Sequence, residues 1–165
     1  MQEHAGVTMH PIVHRLIPDF LRAMDGGDTL KIRSPLSVRP WQHVLEPLSG
    51  YLMLAEQLFS VGTEFGEAWN FGPADDDVRS VKWIVERLAE MREDVNWRCD
   101  DTSHLHEASY LKLDSSKARK LLNWRPRWHL YTALQKTTEW HEAWRRHEDM
   151  RPFTLAQIAS FHSEK

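Results

Sequence analysis

Arg33-Ser34-Pro35-Leu36-Ser37-Val38-Arg39-Pro40-Trp41-Gln42-His43-Val44-Leu45-Glu46-Pro47-Leu48-Ser49-Gly50-Tyr51 puts two arginines, an indole, an amide and an imidazole into one short segment. Proline fixes its own φ and pushes the residue before it toward extended geometry. Arg33-Ser34-Pro35 and Arg39-Pro40 are therefore expected to be extended. Pro47 suits the first turn of the helix that follows. On that helix Leu48, Leu52, Ala55 and Leu58 share one apolar face, yet Tyr51, Met53, Leu54 and Phe59 are apolar too. A helix apolar nearly all round predicts burial between other elements. Polar groups on a loop held by a rigid helix are where binding chemistry sits.

Working outward, residues 1–11 show no period and read as a weakly ordered lead. Ile12, Val13, Leu16, Ile17, Phe20, Leu21 and Met24 then recur at helical spacing. Pro18 is placed in the first turn of a helix to about Met24, stopped by Gly26-Gly27. Thr29 to Arg33 and Ala68 to Pro73 are predicted as short strands. Ser80 to Glu93 is the cleanest amphipathic helix, with Val81, Ile84, Val85 and Leu88 on one side. Val95 to Cys99 and Tyr110 to Leu113 read as strands, joined by a polar loop. Asp114-Ser115-Ser116 opens a short helix that ends near Asn123. Leu130 to His147 carries an apolar stripe, and Thr154 to His162 is a last, peripheral helix. This is a mixed α+β chain, mostly helical, with a few short strands. Residues 12–165 form one binding domain after the lead.

Composition narrows the function. The chain has 21 Lys plus Arg against 24 Asp plus Glu, a balance of −3, so nothing argues for nucleic acid and any anion site is local. The one cysteine, Cys99, excludes an internal disulfide and agrees with a reducing, cytoplasmic setting. No apolar run suits a signal peptide or a membrane span.

Arg39 is the leading candidate. Its guanidinium is a planar fork that matches phosphate oxygens at any working pH. Trp41 stands beside it for stacking, with Gln42 and His43 as donors or acceptors. The same residues also suit a surface arginine in a turn with Trp41 in the core. His104-Leu105-His106-Glu107 invites a metal reading but lacks a third ligand at defined spacing, and Cys99 has no partner; no metal is expected. Arg15, ahead of Leu16-Ile17-Pro18-Asp19, suits a solvated helix start. No set of glycines makes a dinucleotide fingerprint, and no tyrosine is followed by a lysine four residues on.

Several blocks of the sequence resemble one family. Leu16-Ile17-Pro18-Asp19, Ile32-Arg33-Ser34-Pro35 and Arg39 to Leu52 are similar to the C-terminal half of CDP-glucose 4,6-dehydratases. Trp69-Asn70-Phe71-Gly72-Pro73, His106 to Asp114, Ser116-Lys117-Ala118, Leu122 to Trp128 and Thr138-Glu139-Trp140 continue the resemblance. It runs from about Arg15 to Ile158. The block from Arg39 to Tyr51 is specific to this dehydratase. The pattern from Asp114 to Trp140 is shared by extended short-chain dehydrogenase/reductases at large.

The resemblance implies the substrate-binding portion of such an enzyme, with the Rossmann N-terminal part missing. Family members are lyases of surface-polysaccharide biosynthesis that convert CDP-glucose to CDP-4-keto-6-deoxyglucose and water with a tightly held NAD. Their Gly-rich fingerprint and Tyr-x-x-x-Lys pair are not in this sequence, so no catalytic residue is assigned, NAD is not expected to bind this chain alone, and turnover is not expected either. By position, Arg39 would grip the diphosphate, Leu16 and Pro18 would line the nucleotide pocket, and Arg33 would lie near the base. Arg15, Gln42, His43, His106, Glu107 and Tyr110 are further substrate-binding candidates. The expected partner is CDP-glucose, with a separate Rossmann-domain chain as a second candidate. The alternatives are a non-catalytic CDP-sugar-binding module or complementing subunit, and a nucleotide-sugar epimerase of the same superfamily.

Overall fold

The computed structural model describes residues 15–92, 95–100 and 109–164. The order is α1 (Leu16–Gly26), β1 (Leu30–Ile32), β2 (Val38–Arg39), α2 (Leu45–Ser60), β3 (Arg79–Ser80), α3 (Val81–Met91), β4 (Trp97–Cys99), α4 (Ser116–Leu121), α5 (Leu130–Arg145) and α6 (Met150–Ser163). β1 pairs with β4 in parallel, Leu30 opposite Trp97 and Ile32 opposite Cys99. β2 pairs with β3 antiparallel, Val38 opposite Ser80 and Arg39 opposite Arg79. The mixed, mainly helical class expected from the sequence is what the chain adopts.

The main core lies between α1, α3, α5 and the β1–β4 pair. Phe20, Met24, Leu30, Ile32, Ile84, Val85, Leu88, Leu130 and Leu134 fill it. The apolar side of the 3.6-residue period supplies these positions on α1 and α3. α1 stops where Gly27 takes a left-handed φ of 67°, a conformation glycine adopts without a steric cost. α3 starts where the Ser80 hydroxyl accepts from Trp83 N at 3.3 Å. A second cluster gathers Phe71, Ala118, Leu122 and Trp124 against Met53, Leu54, Phe65 and Trp69.

Three expectations need correction. Residues 68–73 form no strand: the segment is coil, and it turns Phe71 inward against Trp124 at 5.1 Å between ring centroids. Tyr110 to Leu113 is not a full strand either; only Tyr110 makes a bridge, to Val38. The alternating pattern there is satisfied by one pairing site, because β2 is two residues long. The third correction concerns α2, which is not buried between other elements. Only Glu46 and Gly50 are buried on it, while Leu48, Tyr51, Leu52, Leu58 and Phe59 are exposed. α6 begins at Met150, four residues before the expected start, capped by the Asp149 carboxylate accepting from Arg151 N at 3.0 Å.

Candidate functional site

The loop from Arg33 to Pro40 is fastened to the start of α3. Val81 N donates to Ser37 O at 2.9 Å and Lys82 N to Pro35 O at 2.8 Å. The first-turn amides of a helix lack intrahelical acceptors; here the loop's own carbonyls serve them. The prolines in the sequence announced a stiff loop, and α3 is what holds it.

β2 emerges from that loop with neighbours on both sides. β3 lies on one edge. On the other, Val38 N donates to Ser109 O at 2.9 Å and Leu111 N donates to Val38 O at 3.1 Å. Arg39 is half-buried, and its Nη1 donates to Val38 O at 2.9 Å. Tyr110 is thus on the strand-like segment next to Arg39. Side chains alternate across a strand, so the pleat puts Tyr110 with Val38 and Ser80 on one face and Arg39 with Arg79 on the other. Of the two readings left open by the sequence, Trp41 follows the core one: it packs on the main core and its indole donates to Arg79 O at 3.1 Å.

The other candidates are distributed. Arg33 is exposed on the rim of an open hollow of about 300 Å³ that it shares with Asp19, Arg22, Asp28, Lys31 and Asp100. Arg15 is exposed at the cap of α1, Pro18 is exposed in its first turn, and Leu16 is half-buried against the core. Gln42 and His43 face a different hollow of about 370 Å³, walled by Ile17 and Leu21 of α1, Trp140 and His141 of α5, and Gln157 of α6. His106 and Glu107, with the rest of the His104 cluster, lie outside the described residues. Among the described residues no three metal-ligating side chains converge.

Gln42 and His43 are held by the protein itself. Gln42 Nε2 donates to Phe71 O at 2.7 Å. His43 is buried edge-on to Trp128, 4.9 Å between centroids, and its Nδ1 accepts from Leu45 N at 3.3 Å. Burial lowers its pKa to about 4, so the ring is neutral and its proton sits on Nε2. Both residues position the loop beside Arg39.

Sequence reasoning missed Glu46. Its side chain is fully buried, and its carboxylate accepts from Trp128 N at 2.8 Å and from Arg127 N at 3.0 and 3.1 Å. Burial raises its pKa against the lowering effect of those bonds. A buried carboxylate needs such partners. It ties the start of α2, and so the loop, to the chain ahead of α5. A glutamate in an otherwise apolar first turn was the available signal.

No protein-family model matches the chain. It is 47% identical over 150 residues to the CDP-glucose 4,6-dehydratase of Salmonella typhimurium, which covers 90% of this chain and 42% of that protein. Solved structures share the fold. UDP-glucose-4-epimerase of Stenotrophomonas maltophila, with NAD and a formylated UDP-arabinopyranose, superposes with a TM-score of 0.69 at 18% identity over 86% of this chain and 44% of that one. UDP-glucuronic acid 4-epimerase of Bacillus cereus, with UDP-glucuronic acid and NAD, gives 0.63 at 20% identity over 73% and 37%. The chain spans less than half the length of each. The chain is thus similar in sequence to the C-terminal portion of a CDP-glucose 4,6-dehydratase, and it shares its fold with the two NAD-bound epimerases.

Proposed function

We propose that the chain is the CDP-sugar-binding portion of a CDP-glucose 4,6-dehydratase, with the Arg39 guanidinium on the diphosphate. The observation that carries this is the 47% identity through 150 residues, joined to the position of Arg39 on a short ribbon backed by the core. Leu16, Pro18, Arg15 and Arg33 would border the nucleoside, with Tyr110, His106 and Glu107 near the phosphates and sugar. Gln42 and His43 act by fixing the loop.

The reaction implied by the named relative, oxidation at C4, loss of water across C5 and C6 and return of the hydride to C6, needs a group that takes up that hydride and gives it back. NAD supplies that in the family, and this chain's residues do not fit it. The sequence has no Gly-rich phosphate turn. The start of α3, a ready anion site in principle, already has its amides taken by Pro35, Ser37 and Ser80. No oxidation step is therefore assigned to these residues.

A second reading has its own observation. Leu48, Tyr51, Leu52 and Phe59 form a bared apolar stripe on α2, and Phe59 is 95% exposed. Such a face suits a complementing subunit that docks a separate dinucleotide-binding chain.

One set of assays tests both. CDP-glucose with NAD should give no 4-keto product from this chain alone; steady product formation would overturn the proposal. Calorimetry should detect CDP-glucose binding, weakened by about 1.5–3 kcal/mol in Arg39→Ala. Unchanged affinity would put the diphosphate elsewhere. Turnover restored by adding the relative's unmatched N-terminal portion as a separate chain would favour the second reading. No restoration, with binding intact, would favour a binding module.

A further inference from the structure

Arg39 has a cationic neighbour that its own loop does not supply. In the β2–β3 register Arg39 stands directly opposite Arg79. Directly opposed residues of an antiparallel pair share a face, with Cβ atoms about 4.5–5.5 Å apart, and like charges so placed are destabilising. Two guanidinium groups thus start from adjacent positions on one side of the ribbon. The arrangement is braced. The Trp41 indole donates to Arg79 O at 3.1 Å, returning the chain after Arg39 onto β3. The Arg79 guanidinium lies over the Trp83 ring, 5.5 Å from its centroid, and that ring carries Arg87 at 5.6 Å as well. Cation–π contact holds an exposed arginine in place while leaving its N–H edges for a ligand. Two of the three acidic residues just upstream have partners away from Arg79: Asp75 pairs with Lys112 at 2.8 Å, and Asp77 lies 3.2 Å from the His129 ring.

We propose that Arg79 is the second arm of the anion site, binding one phosphoryl group of a nucleoside diphosphate while Arg39 binds the other. This rests on the reading that Arg39 holds the diphosphate. Two planar forks on adjacent strands match a ligand with two linked phosphoryl groups, and an anion between them turns the like-charge cost into attraction. Arg79 is a binding residue that the family resemblance did not single out.

The test titrates CDP and CMP into the wild-type chain, Arg79→Gln, Arg79→Lys and Arg39→Gln, with thermal melting to confirm that each variant folds. Arg79→Gln is expected to weaken CDP binding by about tenfold and CMP by less than about twofold, because CMP lacks the second phosphoryl group. Arg79→Lys should recover part of the CDP loss. If Arg79→Gln binds CDP as the wild type does while Arg39→Gln does not, the second arm is wrong and the Arg39 reading stands. Equal weakening of CDP and CMP by Arg79→Gln would also overturn the second arm, since it would mark a general disturbance of the ribbon. If Arg39→Gln keeps wild-type CDP affinity, or if the wild type binds neither nucleotide, both fall.

Discussion

At the scale of the residue, His43 shows how a polar side chain near a site can serve the fold. Its imidazole is desolvated, with a pKa of about 4 in the folded chain against about 6.5 when unfolded. Between those values the unfolded chain binds more protons. The stabilising contribution is therefore complete above about pH 6.5 and is lost as pH falls toward 4. Urea unfolding at pH 7.5 and pH 4.5 should show a loss of about 2–3 kcal/mol attributable to this residue, and His43→Gln should flatten that part of the profile. An unchanged profile in His43→Gln would contradict the neutral buried ring. Glu46 works in the opposite sense. Its raised pKa means the folded chain takes up that proton first, so its contribution grows as pH falls toward the ordinary carboxylate range. The extended backbone at Arg39 was legible in Arg39-Pro40 because proline restricts its predecessor. The inward turn of Gln42 and His43 was not, because the residue types suit either role. What decides it is the carbonyl of Phe71 and the ring of Trp128, at 29 and 85 positions' remove along the chain.

At the scale of the element, α2 carries the lesson. Its apolar composition predicted a buried helix, yet only one narrow side reaches the body of the protein. Gly50 makes that contact: a Cβ built there would stand 2.3 Å from the Phe71 ring. Phe71 in turn packs edge-on to Tyr51 and Trp124, 5.5 and 5.1 Å between centroids. Alanine in place of helical glycine ordinarily gains up to about 1 kcal/mol. Here the overlap should reverse the sign, and Gly50→Ala is expected to destabilise by about 1–3 kcal/mol in chemical denaturation. Stabilisation would mean that α2 is not seated on Phe71. α1, α3 and α5 were legible because each has a clear apolar stripe. β2 and β3 were not, because strands of two residues leave no alternation to read, and with them went the Arg39–Arg79 register.

At the scale of the whole molecule, two clusters of buried side chains support the loop from Arg33 to Pro40, and one bared helix borders it. The main core fixes α3, which holds the loop through its first-turn amides; Glu46 fixes α2 to the segment before α5. The described residues supply a cationic ribbon and a stiff loop, which is what the proposed grip on a sugar nucleotide needs. Among the described residues no helix is long and apolar enough to cross a membrane. The central claim is that Arg39 meets the diphosphate. Its most direct test is nuclear magnetic resonance of the arginine side-chain Nε–H groups during titration with CDP-glucose. The Arg39 resonance, assigned by its loss in Arg39→Lys, should move in a saturable manner together with the Arg39 backbone amide. A saturable response that leaves Arg39 unmoved, or no response at millimolar ligand, would contradict the account.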